Sequence, residues 1–119
     1  MAGVEKDLRI SVLLDFYGEM LTEKQREAVE LYYNEDLSLA EIAEHSGITR
    51  QGVRDAVKRA ENQLLEYEEK LGLWARFLEI KKGLEEIAAI AGELGGMSLQ
   101  KDFIRKAQQI IEIAGKLGD

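Results

Sequence analysis

Four basic side chains within ten residues, near the middle of the chain, have the types and spacing to bind a ligand. They are Arg50, Arg54, Lys58 and Arg59, and only one acidic residue lies among them. In a helix, a spacing of four places Arg50, Arg54 and Lys58 on one side, and Gln51 lies beside them. Guanidinium, ammonium and amide groups on that side can donate hydrogen bonds to phosphates or base edges. The segment therefore indicates binding to nucleic acid.

Residues suited to catalysis are scarce. His45 is the only histidine, the chain has no cysteine, and it contains none of the common motifs for hydrolysis or phosphate binding. The adjacent carboxylates Glu35-Asp36 and Glu85-Glu86 would point apart on a helix and could not share a metal ion or a proton. His45 is better placed to complement the dipole at the end of a helix. We predict that the protein is not an enzyme and needs no metal or cofactor.

The basic segment belongs to a predicted helix-turn-helix from Leu39 to Arg59. Ser38 and Glu41 have the spacing of a capping box, which starts the first helix. Gly47 stands where the chain must turn, because glycine adopts the left-handed conformation without steric cost. Thr49 then caps a second helix that begins at about Arg50.

The opposite side of the second helix has the pattern of a core face. Val53, Val57, Ala60 and Leu64 recur at spacings of four, three and four, which predicts a buried stripe. Ile42 and Ala43 of the first helix face the same interior. The alternative is a helical hairpin that binds no ligand, and the pattern alone does not separate the two.

Helical signals flank the motif on both sides. The apolar stretch Val4–Tyr17 predicts a helix buried on two sides, with Gly18 at its end. Thr22 and Gln25 form a second predicted capping box, for a helix that reaches Asn34. After the motif, Leu64, Tyr67 and Leu71 continue the apolar stripe toward Gly72, so the second helix is long. Its solvated side would carry three carboxylates, those of Glu66, Glu68 and Glu69.

The last third of the chain predicts an antiparallel helical hairpin. One helix has a seam at alternating spacings of four and three, Gly95-Gly96 reverses the chain, and Ser98 caps the final helix. The two apolar stripes are Leu73, Phe77, Ile80, Leu84, Ile87, Ala91 and Leu94 on the first helix, and Leu99, Phe103, Ala107, Ile110, Ala114 and Leu117 on the second.

Three isoleucines of the final helix, Ile104, Ile111 and Ile113, lie off its main stripe. This apolar surface must meet either the N-terminal helices or a second chain. We favour a homodimer, because helix-turn-helix proteins commonly bind two half-sites. The predicted organisation is a DNA-binding domain over residues 1–72 and a hairpin over residues 73–119 that is a possible dimerisation element.

Composition agrees with a helical protein of modest size. The 119 residues are 45% hydrophobic and 33% charged, with no proline, which excludes disorder and suits one domain with an appendage. We expect a cytoplasmic location, because no signal peptide or membrane-spanning run is visible. The net charge of −7 argues against indiscriminate nucleic-acid binding, so the basic excess between Thr49 and Arg59 is a local feature.

Two stretches carry a resemblance to known families. LTEKQR at Leu21–Arg26, together with LSLAEIAEHSGITRQGV, resembles region four of the bacterial sigma factors. A closer similarity, based on DFYG, LTEKQR and LYY, is to the YlxM family of small helix-turn-helix proteins. It covers roughly Leu8 to Ile87 and implies an all-α, sigma-region-four-like helix-turn-helix bundle that binds DNA. Members of that family are associated with the signal recognition particle pathway.

These observations lead to one predicted site and one alternative. In the prediction, the helix that starts at Arg50 enters the major groove of DNA in a regulatory role. The alternative is an accessory factor that binds the protein or RNA of the signal recognition particle without reading a DNA sequence. The predicted contacts are Arg50, Gln51 and Arg54 to base edges, Thr49, Lys58 and Arg59 to phosphates, and Lys24 and Ser38 to the DNA backbone.

Overall fold

The computed structural model describes residues 6–119, and within that range the secondary structure is entirely helical. A short 3₁₀ turn at Gly18–Met20 follows the first helix. The predicted all-α fold is therefore confirmed. The six α-helices are α1 (Arg9–Tyr17), α2 (Glu23–Tyr33), α3 (Leu39–Ser46), α4 (Arg50–Leu71), α5 (Leu73–Gly96) and α6 (Lys101–Leu117).

The first helix is shorter than predicted. Of the predicted span Val4–Tyr17, Val4 lies outside the described residues, and the helix begins at Arg9. Leu8, which was expected to be buried, is 81% exposed. Just before this start, Asp7 Oδ1 accepts a hydrogen bond from the Arg9 backbone N–H at 3.0 Å. The burial of Ile10 and Leu13 agrees with the prediction.

Side-chain caps begin three of the helices at the predicted residues. Capping boxes join Thr22 to Gln25 and Ser38 to Glu41, with both reciprocal bonds present in each. Thr49 Oγ1 accepts from the Gly52 backbone N–H at 3.0 Å and so starts α4 at Arg50. These bonds satisfy N–H groups that the first turn of a helix leaves without a partner.

The buried residues between Ile10 and Leu64 form two clusters around α4. In the first, α1 packs against the middle of α4 through Ile10, Leu13 and Leu64. In the second, α2 and α3 pack against the start of α4 through Ile42 and Val53. The predicted stripe of α4 is confirmed, since Val53, Val57, Ala60 and Leu64 are all buried.

The end of α4 departs from the prediction. Glu68, expected on the solvated side with Glu66 and Glu69, is half-buried. Its Oε1 accepts from the Tyr17 hydroxyl at 2.6 Å and from the Trp74 backbone N–H at 3.1 Å. Glu68 is half-buried because it bonds to Tyr17, which is 51 residues away in sequence. The run of neighbouring glutamates could not indicate this partner. Leu71, expected to continue the buried stripe, is exposed.

Helices α5 and α6 are antiparallel. A Cβ added to Gly95 would lie 3.2 Å from Ala107 Cβ, and one added to Gly118 would lie 3.8 Å from Leu84 Cδ1. Ala91, Ala107 and Ala114 are buried in this hairpin. The helices thus meet through small residues, and Gly95 permits the close approach.

Three details of the predicted hairpin are wrong. Gly95 and Gly96 belong to α5, and the chain reverses between Met97 and Gln100. The N-cap of α6 is Gln100 rather than Ser98, whose hydroxyl oxygen accepts from the Gln100 N–H at 3.2 Å. The large residues of the predicted seams are mainly exposed, because alanines occupy the contact. Those that remain exposed are Leu73, Ile80, Ile87, Leu94, Leu99, Phe103, Ile110 and Leu117.

The chain divides into two compact units, Met1–Trp74 and Ala75–Asp119. The helix-turn-helix and both clusters of buried residues lie in the first unit. The second contains most of α5 and all of α6. The division falls two residues beyond the predicted boundary between residues 72 and 73, and the functions assigned to the two parts remain predictions.

Candidate nucleic-acid interface

One exposed face of α4 carries the cations singled out in the sequence. Arg50, Arg54, Lys58 and Arg59 are all exposed. On the other side of the same turns, Val53 is completely buried. The helix is therefore held by its apolar side, and its polar side is available to a ligand.

The turn before α4 sets its direction. Gly47 has a φ of 71°, and its backbone N–H donates to Ala43 O at 2.9 Å. This left-handed conformation ends α3, as predicted for glycine. The Val53 N–H then donates to Thr49 O at 3.0 Å, which begins α4 only two residues after the turn. With so short a connection, the two helices of the motif have little freedom to change their angle.

The two predicted hydroxyl contacts are already used as caps. Thr49 Oγ1 accepts from Gly52 N–H, and Ser38 Oγ accepts from Glu41 N–H at 3.1 Å. Each hydroxyl retains its hydrogen, which it can donate to a phosphate. The Ser38 backbone N–H in turn donates to Glu41 at 3.0 Å and lowers the pKa of that carboxyl below its ordinary value. Ser38 and Thr49 are thus both exposed and firmly oriented.

The remaining predicted residues lie around the first turns of α4. Arg54 and Lys58 border a small recess that Leu39 also lines, so the first turn of α3, next to Ser38, lies close to them. Lys24, at the start of α2, lines a different recess with Gly52 of α4. The structure therefore brings Lys24 and Ser38 close to α4 from two neighbouring helices.

Ion pairing divides the cations of the first unit into two groups. Four of them have a carboxylate partner: Lys6 with Asp36, Arg9 with Asp7, Arg26 with Glu30 and Lys70 with Glu66, at 2.7–2.9 Å. Between residues 6 and 74, the cations that form no ion pair within 4.0 Å are the five predicted to contact nucleic acid. These are Lys24, Arg50, Arg54, Lys58 and Arg59.

One polar interaction on this face was missed by the sequence interpretation. Gln51 Nε2 donates to Asp55 Oδ1 at 3.0 Å. The spacing of four residues is the signal that could have predicted it, since side chains at i and i+4 are neighbours on a helix. His45 lies in the last turn of α3, as predicted, with Nε2 3.8 Å from Glu27 Oε1.

Comparison with known proteins identifies the family. A family model described as "Putative helix-turn-helix protein, YlxM / p13 like", UPF0122, matches residues 4–94. The chain belongs to this family. The similarity to YlxM proteins inferred from the sequence is thus confirmed, and the family is one of helix-turn-helix proteins rather than of enzymes.

Other YlxM-like proteins are similar over most of their length. A UPF0122 protein of Clostridium kluyveri is 55% identical over 83 residues, which cover 70% of this chain and 71% of the relative. One from Desulforamulus reducens is 54% identical over 79 residues, covering 66% and 68% of the two chains. One from Acetivibrio thermocellus is 42% identical over 112 residues, covering 92% and 96%.

The described part of the chain offers neither a metal site nor a membrane span. Residues 6–119 contain no cluster of three or more histidine, cysteine or acidic residues arranged to hold a metal ion. None of the helices in that range combines the length and hydrophobicity that a membrane span needs.

Proposed function

We propose that this protein is a cytoplasmic DNA-binding regulator that reads the major groove with α4. The observation that carries the proposal is the set of five cations without ion pairs around one exposed helix face. In a chain with 23 acidic residues, cations left without carboxylate partners on the exposed side of α4 and at the start of α2 are available to an external anion. DNA offers phosphates and guanine edges for this purpose.

The proposed contacts follow from position along α4. Arg50, Gln51 and Arg54 lie in its first turns, where a recognition helix meets base edges. Lys58 and Arg59 lie a turn farther along and would contact phosphates. Thr49 and Ser38 would add hydroxyl hydrogen bonds to the DNA backbone, and Lys24 would contact it from α2.

Charge distribution supports selective binding. Residues 75–119 contain seven basic and seven acidic side chains, so the whole net charge of −7 resides in residues 1–74. DNA repels the acidic remainder of the first unit unless the basic side of α4 lies directly against the DNA. Non-specific affinity should therefore be low and strongly dependent on salt.

We also propose a homodimer formed through the hairpin of α5 and α6. An α-helix turns by about 100° per residue. With α5 and α6 antiparallel, this rotation places large apolar side chains of both helices on the same side of the hairpin. These residues are called the hairpin face, and each is more than 40% exposed. They are Ile80, Ile87, Ile90, Leu94, Phe103, Ile110, Ile113 and Leu117.

A second copy of the chain fits the hairpin face better than an arbitrary partner. Monomers rarely expose contiguous apolar patches larger than a few hundred Å², and the only buried side chains of residues 75–119 are alanines. Because those residues have no net charge, two hairpins would not repel each other. Two helix-turn-helix units held together would then bind two half-sites.

An alternative function uses the same cations on RNA. The resemblance to YlxM proteins implies a connection with the signal recognition particle, whose RNA also offers phosphates. An accessory factor of this kind would bind the particle's RNA or protein and would select no DNA sequence.

Selection from a random pool of DNA duplexes, with the full chain at several salt concentrations, tests the proposal. We expect one enriched sequence. Arg54→Ala should cost about 1–3 kcal/mol at that site and relax the preference at one base pair. Lys58→Ala should weaken binding to all sequences and reduce the salt dependence by about one unit.

Lys70→Ala is the matched control, because it removes a positive charge from the same helix outside the proposed face, where Lys70 already pairs with Glu66. It should change affinity little. If no sequence is enriched while signal recognition particle RNA is bound tightly, the DNA-reading function is wrong and the alternative stands.

A further inference from the structure

The proposed DNA-reading face contains one carboxylate among its cations. Asp55 is exposed in the second turn of α4, and no ion pair within 4.0 Å joins it to a cation between residues 6 and 119. Its partner is the neutral amide of Gln51, at 3.0 Å. The carboxylate is therefore oriented by a hydrogen bond and is not neutralised by its basic neighbours.

This hydrogen bond determines which atoms the pair presents outward. A carboxylate oxygen only accepts, so the amide nitrogen of Gln51 must face Asp55. The Gln51 Oε1 and Asp55 Oδ2 atoms remain as acceptors. Two acceptor oxygens of the bonded pair thus remain unused on a face whose basic side chains are donors.

We infer that Asp55, held by Gln51, reads the amino group of a cytosine in the major groove. The inference rests on the proposed DNA-reading function. In the major groove, the bases with amino donors are cytosine, through N4, and adenine, through N6, whereas guanine and thymine present acceptors. Adenine carries the N7 acceptor beside its amino group, so the second oxygen of the pair would face another acceptor. Cytosine presents only the donor.

The same carboxylate works against other sequences. Opposite guanine or thymine, Asp55 is left without a donor, and a desolvated acceptor without a partner costs affinity. Near phosphates, its negative charge opposes the attraction of Arg54 and Lys58. Asp55 therefore contributes specificity mainly by weakening the wrong complexes.

The experiment compares base preferences of full-length variants. Random duplexes are selected with the parent, Asp55→Ala, Asp55→Asn and Glu66→Ala, and affinities are then measured for the parent's preferred site and its single-base variants. Glu66→Ala is the matched control, because it removes one negative charge from α4 eleven residues farther along, about 16 Å away. Circular dichroism establishes that each variant is folded.

We expect Asp55→Ala to bind non-specific DNA more tightly and to lose roughly tenfold discrimination in favour of cytosine at one position. Asp55→Asn should shift the preference at that position toward adenine, because an amide offers both a donor and an acceptor to the N6 and N7 pair. Glu66→Ala should leave every base preference unchanged.

Two results would overturn the inference, and they differ in what else they affect. If the parent selects a sequence and Asp55→Ala selects the same one with equal preference at every position, the pair only stabilises the helix and the DNA-reading function stands. If the parent selects no sequence, the proposed function fails, and the reading role of Asp55 fails with it.

Discussion

At the residue scale, tyrosine hydroxyls join segments that are distant in sequence. The Tyr33 hydroxyl donates to Glu61 Oε2 and accepts from the Asp7 backbone N–H at 3.2 Å. The Tyr17 hydroxyl donates to Glu68 and accepts from the Leu73 backbone N–H at 3.0 Å. Each tyrosine thus ties α4 to an earlier helix through a buried or half-buried ring.

Because of these two tyrosines, the stability of the folded protein should depend on pH in the alkaline range. Burial, with the hydrogen bond to Glu61 as a further cause, raises the pKa of Tyr33 above its ordinary value, and burial likewise raises the pKa of Tyr17. A group with a raised folded-state pKa contributes its stability fully below its unfolded pKa, about 10 for tyrosine. The contribution is lost as the pH rises toward the folded pKa.

We therefore expect the melting temperature to fall as the pH rises above about 10. In Tyr33→Phe the fall should be shallower, because one of the two perturbed hydroxyls is gone. Thermal melts between neutral pH and pH 11 measure this, with Tyr17→Phe as the companion variant. Parallel curves for the parent and both variants would show that neither hydroxyl is linked to folding.

At the element scale, α4 combines a structural side and a binding side. Its capped first turn, its Val53 to Leu64 stripe and its exposed cations all belong to a single helix. Packing on one side keeps the geometry of the other constant. A substitution should therefore affect either stability or binding, depending on the side it lies on.

Val53→Asp should unfold the helix-turn-helix. Val53 is completely buried in a cluster with Ile42 and Ala43, and an unpaired charge there costs several kcal/mol. Calorimetry should find the transition of Val53→Asp lost or greatly lowered.

Gln51→Ala is the control from the other side of α4. It removes only the exposed bond to Asp55, which is worth about 0.2–0.5 kcal/mol, so the melting temperature should hardly change. If Val53→Asp has the melting temperature of the parent, or Gln51→Ala melts far below the parent, the assignment of the buried and exposed sides of α4 is reversed.

At the scale of the whole molecule, the two units have different compositions. Residues 1–74 carry all of the net charge and both clusters of large buried side chains. Residues 75–119 are neutral and leave large apolar side chains exposed. This contrast agrees with the proposal that the first unit binds DNA and the second forms the dimer.

A charge on the hairpin face should separate the proposed dimer. We expect Ile87→Lys and Ile110→Lys to convert a dimer at micromolar concentration into a monomer, as measured by light scattering, with helix content retained. The variants should bind a two-half-site DNA more weakly and keep the preference within one half-site. Half-sites in the parent's DNA should lie about one helical turn, roughly 34 Å, apart.

Gln108→Lys, on the exposed side of α6 away from that face, is the control and should remain dimeric. A monomeric parent would assign the hairpin face to a different partner and would increase the weight of the alternative function.

Much of the motif could be predicted because its determinants are local. The capping boxes, the Thr49 cap and the left-handed Gly47 each depend on residues within four positions of one another. The α4 stripe follows from helical periodicity alone. The positions of five exposed cations could be predicted for the same reason, since a helix with one buried side must expose the other.

The hairpin and the end of α4 could not be predicted to the same degree. Leucines and isoleucines at heptad spacing suggested the seam, but helices also pack through alanine and glycine when a close approach is possible. The contact of Gly95 with Ala107 depends on the relative rotation of α5 and α6. Glu68 has partners 51 residues earlier and six residues later along the chain, beyond any local pattern.

The sequence by itself determined where most of the helices begin and end and which side of α4 is polar, because backbone capping and periodic burial act over a few residues. Only the tertiary structure decided that Lys6 pairs with Asp36, since the two are 30 residues apart in sequence and meet only after folding, whereas the other lysine and arginine pairs of the first unit join residues within four positions of each other. The absence of such partners around α4, in the described part of the first unit, distinguishes a candidate binding face from an ordinary solvated one.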